Sequence, residues 1–361
     1  MMRRFVLPSL FPVLILVLFA QCSTILDSKG PDDKIVVVAD SAEWIELKPY
    51  LEATFSTPMH TPQPEPWFTL EWVKPEDMES VDLSRNIFYV STLDAEHRMA
   101  EFMRASLDAT AEEFVREGKQ YAFVKKDFHA RNQTVVFMTA ETMEQLQNAI
   151  VRESPQLLYF FKHAWEKREE LLVRYSERQE DLEKRFLEDY GWTLCIPKAW
   201  YVGKDSSELN AVWLRRKVPV DTERWLLVHW IDNASPAMLN GETVLDMRDS
   251  LTEILYRTVD DSAWVQIDRE NYLQVETDNF LGHYAIRVQG LWRMSDRSMG
   301  GPFMTYVFLD TLSQRLYMLD GSVFAPGYEK KVLILDTDAM LHTFSYRKVT
   351  ATGETGSQRT P

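Results

Sequence analysis

Two aspartates come nearest to a catalytic pair in this chain. Asp310 and Asp320 flank a predicted hairpin with the loop Thr311-Leu-Ser-Gln314. Asp320 itself lies in Leu319-Asp-Gly-Ser-Val-Phe-Ala-Pro326. Two carboxylates at neighbouring strand ends can divide the work of general acid and general base, as a hydrolase requires. Turn aspartates are the plainer reading, and Asp320-Gly321 resembles a tight turn. Cys195, in Trp192-Thr-Leu-Cys-Ile-Pro197, would act as a nucleophile only with a lowered pKa and a base beside it. Its strand-like surroundings argue for a buried small hydrophobe. Asp40 ends the first predicted strand, where open α/β sheets often hold ligand groups, although a helix cap explains it as well. The glycine pair in Ser298-Met-Gly-Gly-Pro-Phe303 could bring backbone close to a ligand or simply turn the chain.

Several chemistries lack their residues. The seven histidines are His60, His97, His129, His163, His229, His283 and His342. None pairs at a metal-binding spacing, and no His-Glu-x-x-His occurs. No glycine-rich loop follows a strand to cradle a phosphate, and no Gly-x-Ser-x-Gly elbow is present. No metal and no cofactor is expected. Trp192, Trp200, Tyr201 and Trp213 cluster about one hairpin. They would stack on a sugar or peptide only if exposed, and core packing is their default role.

The elements that must position these residues follow from periodicity. Lys34–Ala39 is a short apolar run, read as a buried strand. Asp40-Ser-Ala-Glu43 resembles a capping box opening a helix. Trp67–Val73 and Asn86–Val90 read as strands, His97 to Gly118 as one helix, and Tyr121–Phe128 and Thr134–Met138 as strands. A helix follows over Glu141–Arg152. The first half thus predicts helices on a small, mainly antiparallel sheet. Ser154-Pro155 looks like a new helix start. From there to Tyr190 the chain has neither Gly nor another Pro, and Phe161, Trp165, Leu172, Tyr175, Leu182 and Phe186 form a stripe broken at Arg168 and Gln179. Gly191 ends that helix. The second half is richer in strands, with one helix near Thr243–Tyr256 and a helix favoured over Tyr328–Phe344. The expected class is α+β: two lobes with mainly antiparallel sheets packed by helices, joined by a long central helix.

Composition narrows the partners. The chain has 361 residues, eleven of them Trp, and a formal charge of −15. That length allows two domains and a sizeable core. An acidic surface without a basic stripe repels phosphate backbones, so no nucleic-acid partner is expected. The same charge opposes anionic lipid, which leaves membrane contact to a covalent anchor.

The N-terminus supplies that anchor. Arg3 and Arg4 precede an apolar run from Phe5 to Ala20, and Gln21-Cys22 closes it. The run is short of the roughly twenty apolar residues that a spanning helix needs, and a basic start before a short apolar core describes a signal peptide. Cys22 stands where a bacterial lipoprotein is cut and acylated. Phe19 and Gln21 depart from the usual lipobox, while Ala20 fits it. An ordinary cleavage nearby or a short uncleaved anchor is the alternative. Acyl chains such as palmitate contribute about 0.8 kcal/mol per buried CH₂, enough in combination to hold the protein at a membrane. With Cys22 acylated, Cys195 has no partner for a disulfide. The expected layout is a signal peptide over 1–21, a tether over 22–33, an N-terminal α/β lobe over 34–153, a connecting helix over 154–190, a C-terminal α+β lobe over 191–348 and a disordered tail over 349–361.

The lipoprotein signal, the long mid-chain helix, Tyr190-Gly-Trp-Thr-Leu-Cys-Ile-Pro197, Gly300-Gly-Pro-Phe303 and Tyr317-Met-Leu-Asp-Gly-Ser-Val-Phe-Ala-Pro326 together resemble a Bacteroidetes envelope lipoprotein family known only as a domain of unknown function. The resemblance spans the whole mature chain. It implies a Gram-negative envelope location, facing the periplasm or cell surface, with the outer membrane favoured over the inner. It implies no activity and carries over no functional residue. The reading that follows is a lipid-anchored, non-catalytic envelope protein that binds a partner or ligand. A hydrolase of envelope polymers, resting on Asp310 and Asp320, and a small-molecule carrier are the alternatives.

Overall fold

The computed structural model describes residues 25–349 and 355–356. The expected signal peptide over 1–21, Cys22 and most of the expected tail lie outside the described residues. Within the tail range, Val349 pairs with Thr355 in a short antiparallel ladder.

The N-terminal part is built on strands β1 (Lys34–Val38), β2 (Thr69–Val73), β3 (Asn86–Thr92), β4 (Ala122–Lys126) and β5 (Thr134–Ala140), in the order β2-β1-β3-β5-β4. Three of its four pairings are parallel, and only β4–β5 is antiparallel. This differs from the antiparallel sheet expected here. The reason is visible in β3 and β5, which are buried at every position, as strands covered by helices on both faces must be. Successive side chains point to opposite faces. Phe88 therefore meets Phe55 of helix α1 (Ser41–Phe55) and Phe161, while Tyr89 meets Phe102 of helix α2 (Arg98–Ser106). The single helix expected over His97–Gly118 is two, because Asp108 accepts from Ala111 N at 2.8 Å and caps a new helix, α3 (Ala109–Arg116).

Helix α4 runs from Met143 to Tyr175, and α5 from Glu180 to Tyr190. The connecting helix thus starts earlier and stops sooner than 154–190. Thr142 and Gln145 form a reciprocal capping box at its start. Pro155 lies inside it. Its missing hydrogen bond falls at the carbonyl of Val151, on the exposed side where water can substitute. The two off-pattern residues have their own partners. Arg168 is buried against Asp32, and Gln179 donates to the carbonyls of Pro197 and Trp200 across the break between α4 and α5. Gly191, with φ +79°, closes α5.

The C-terminal part is an eight-stranded sheet, antiparallel in every pairing. Its strands are β6 (Tyr201–Ser206), β7 (Ala211–Arg216), β8 (Glu223–Ile231), β9 (Val265–Ile267), β10 (Leu273–Phe280), β11 (His283–Met294), β12 (Gly300–Asp310) and β13 (Arg315–Phe324). Their order is β9-β11-β12-β13-β8-β7-β6, with β10 also on β11. Along β13, Leu316 and Met318 pack under helix α6 (Gly241–Leu255), while Tyr317 and Leu319 pack under helix α7 (Lys331–Leu341). Asp320-Gly321 is therefore not a turn but the middle of a buried strand. Asp320 faces α6, and a Cβ on Gly321 would meet Thr337 of α7 at 2.7 Å.

Two features tie the parts together. The expected tether is docked from Asp27 onward: Asp27 bridges Arg131, Lys29 bridges Ser84, and buried Asp32 pairs with Arg168 and Arg85. In addition, Ile334 and Leu335 of α7 belong to the core of the N-terminal sheet. The Glu65 carboxylate accepts from Lys330 N and Lys331 N at 2.7 and 3.0 Å, capping α7 from the N-terminal side. The whole is α+β, with mainly antiparallel sheets and α4 joining its N-terminal and C-terminal parts.

Candidate functional site

A cleft opens where α4 passes α7 and the β10–β11 hairpin, with a cavity of about 280 Å³ lined by Glu166, Glu170, Asn279, Leu281, Asp338 and His342. Charged groups from three elements converge on it. Helix α4 lines it with Glu166, Lys167 and Glu170, and α7 lines it with Asp338 and His342 one turn apart, while Lys162, one turn before Glu166, and Arg287 and Tyr306 of the sheet act on these groups from outside the lining. The (i, i+4) spacing puts each helical pair on one face.

Asp338 is the best-held group. The Tyr306 hydroxyl donates to its Oδ1 at 2.9 Å, and His342 Nδ1 stands 3.6 Å from Oδ2 while also contacting the Asp338 carbonyl at 3.0 Å. Burial, and then Asp338, push the Tyr306 phenol well up. Burial works against the charge on Arg287, but Tyr306, Glu276 and Asp338 outweigh it and hold the guanidinium protonated. Glu166 is less provided for. Its side chain is 44 % exposed at the cleft mouth, and its nearest basic neighbour is His163, 3.7 Å away, an imidazole that burial pushes toward the neutral form. Crowding by the cleft walls, and then Asp338, raise its pKa. Lys162 Nζ sits 3.7 Å over the Trp67 ring, and burial lowers its pKa. Shifted acids and bases gathered in a cleft mark a candidate site. What this one offers is a carboxylate, Glu166, that no Lys or Arg among the described residues approaches within ion-pair distance, although Lys162 and Arg287 act on it from further off.

The residues singled out from sequence fall elsewhere. Asp310 caps its own loop, accepting from Ser313 Oγ at 2.5 Å and from Leu312 N at 3.3 Å. Asp320 pairs with Thr305 on the ladder, five residues from the Asp310–Arg315 pair, so the two carboxylates stand roughly 17 Å apart along the strands. They are not brought together. Asp320 is instead locked to Arg248 at 2.6 Å, with both side chains fully buried. Cys195 is buried, and burial raises its pKa. Trp192 and Trp200 are buried in the core, whereas Tyr201 is exposed. Gly300 and Gly301 begin β12 and border a second hollow of about 520 Å³ that also holds Arg293, Asn271 and Lys330. Asp40 caps α1, accepting from Ala42 N at 2.9 Å.

Glu43 was hidden by its capping-box position. It turns inward to the ends of β1 and β3, where Oε1 accepts from Thr92 N at 2.9 Å and from Thr92 Oγ1 at 2.6 Å, and Oε2 lies 3.5 Å from His97 Nε2. The cleft residues had no detectable spacing signal, because they are scattered from Lys162 to His342. Among the described residues there is no group of three or more His, Cys, Asp or Glu able to hold a metal ion. No helix among them is long and apolar enough to cross a membrane.

Residues 28–174 match a family described as Domain of unknown function (DUF8532), and residues 179–343 match Domain of unknown function (DUF4837). The gap between the two matches falls at the break between α4 and α5. No curated protein matches the sequence. Among solved structures, a Bacteroides thetaiotaomicron protein is similar at 8 % identity and a TM-score of 0.25, over 44 % of this chain and 46 % of that one. The match therefore spans less than half of that protein. LpqN of Mycobacterium tuberculosis, described as involved in cell envelope biogenesis, is similar at 10 % identity and a TM-score of 0.29, over 47 % and 98 %. The Saccharomyces cerevisiae Ran-binding protein Mog1p is similar at 13 % identity and a TM-score of 0.28, over 43 % and 90 %. These TM-scores are too low to carry an argument about fold or function.

Proposed function

We propose that this chain is a non-catalytic binding protein of the cell envelope, lipid-anchored at Cys22, and that the cleft between α4, α7 and the β10–β11 hairpin receives a positively charged group of its ligand. One observation carries the binding reading: Glu166 stands at the mouth of the cleft, its charge disfavoured by crowding and by Asp338 and offset by Lys162, His342 and Arg287 only from beyond ion-pair distance. A bound ammonium or guanidinium group would relieve that repulsion and complete a charge-assisted hydrogen bond. The anchor reading rests on the segment before Cys22. The hydrolase alternative loses its basis with the separation of Asp310 from Asp320, and Cys195 has the wrong surroundings for a nucleophile.

Native mass spectrometry of the full chain, gently extracted from its own membrane, tests both parts. The wild type is expected to carry the lipid and a further small-molecule mass, and Glu166→Gln to keep the lipid and lose the other mass. A bare lipidated chain in both cases would overturn ligand binding. A chain without lipid would overturn the anchor.

A further inference from the structure

The apolar stripe read from the sequence of α4 does not stay in the core. Phe161 and Trp165 are buried, but Leu172 is 58 % exposed and Tyr175 85 % exposed. Beyond Arg168 the helix divides: Val173 is buried in the C-terminal core, while Leu171, Leu172 and Tyr175 are turned to solvent. Leu171, Leu172 and Tyr175 border a hollow of about 720 Å³. A second hollow of about 390 Å³, lined by Tyr159, Phe160 and Val124, adjoins it and shares Asn132, Arg168 and Leu171. Exposed apolar residues scattered singly are ordinary, but a continuous run along one side of a helix marks a contact surface.

The position of the segment that follows Cys22 says what lies against it. Asp27 and Ser28 form part of the wall of the larger hollow, next to Leu172 and Tyr175. Ile25 and Leu26, just before them, are also exposed. Cys22 precedes Ile25 by three residues, which span at most about 11 Å. An acyl chain on Cys22 therefore brings a bilayer to this face. Lys126 and Lys167 line the smaller hollow, and long cationic side chains beside apolar surface reach headgroup phosphates while their stems stay in the apolar layer. The acidic charge of the whole molecule is no obstacle to contact confined to this one face.

We propose that the outer face of α4, centred on Leu171, Leu172 and Tyr175, lies against the phospholipid bilayer surface and fixes the orientation of the protein on it. This rests on the acylation of Cys22 proposed above. The bilayer is the occupant because the chain is delivered to it at this face.

The test uses the full lipidated chain in phospholipid vesicles, with a spin label placed singly by Leu172→Cys, Tyr175→Cys or, as reference, Val259→Cys. Cys195 is buried and stays unlabelled. The ratio of oxygen to nickel-chelate collisions is expected to be several-fold higher at 172 and 175 than at 259. Ratios equal to that at 259 would overturn the docking, as would mutual broadening of labels on two copies, which would assign the face to self-association. The mass of the chain reads the anchor separately. A missing lipid overturns the anchor alone, while wet labels on a lipidated chain overturn the docking alone.

Discussion

Among the described residues, each half of the molecule has one arginine–aspartate pair with both partners buried, and the two do different work. In the C-terminal part, Arg248 of α6 meets Asp320 of β13 where neither side chain is reached by solvent. Thr305 Oγ1 and Ser322 Oγ also donate to Asp320, and the guanidinium lies 3.6 Å over the Phe303 ring. The pair pins a helix to the middle of a sheet. In the N-terminal part, Arg168 of α4 meets Asp32, which also pairs with Arg85, and donates to Asn86 Oδ1 at 2.9 Å. This pair lies beneath a hollow at the surface and pins the incoming chain to the body. The same two residue types thus serve as a core rivet in one place and a fastening for an end in the other. Location, and with it access to water, decides which.

Breaking the rivet should have the largest effect. Arg248→Met leaves a buried aspartate without its cation and is expected to cost about 3–5 kcal/mol in urea unfolding. Replacing both partners, as Arg248→Met with Asp320→Leu, should recover most of that loss, because an apolar pair carries no desolvation penalty. A small cost for the single variant would erase the distinction between the two pairs. Arg168→Met should cost less, about 2 kcal/mol, since Arg85 still neutralises Asp32 and water can enter. Its signature is local: hydrogen exchange should accelerate at Ser28 and Lys29, whose amides bond to Arg131 and Leu83, and stay unchanged in α6. The smallest effect belongs to Glu166. Its raised pKa means that its contribution to stability is present below the ordinary glutamate value of about 4.3 and is lost as the pH rises through the raised folded value. Glu166→Gln should therefore gain on the wild type in thermal stability between pH 4 and pH 7, and a gap that stays constant across that range would remove Glu166 from the crowded site described here.

The legible features were those decided locally. Gly191 ends a helix because a left-handed residue is required there, and the loop between Asp310 and Arg315 lies where its residues place it. Other elements are set by what packs against them. Asp320-Gly321 has the composition of a turn, but Arg248 and Thr337 on opposite sides of β13 need an aspartate and a glycine there. Pro155 has the look of a helix start, yet it sits where the lost hydrogen bond faces water. The edge strands β6 and β10 carry no readable alternation, because they are largely exposed and have polar residues on both faces. Asp310 and Asp320 were visible as residues, but their separation was not. Glu166 and Asp338 gained meaning only when α7 was placed against α4, because no spacing in the chain links positions so far apart.

The placement of α7 also has a consequence for biosynthesis. Ile334 and Leu335 close the core of the sheet that begins at Lys34, and Glu65 finds the amides it caps only at Lys330 and Lys331. Synthesis delivers the N-terminal segment first. That segment must therefore wait, with part of its apolar surface uncovered, until nearly the last helix of the chain has arrived. Folding of the first half is gated by the completion of the second, and a truncated product lacking residues 331–341 would expose the same surface permanently, as a substrate for chaperones and proteases.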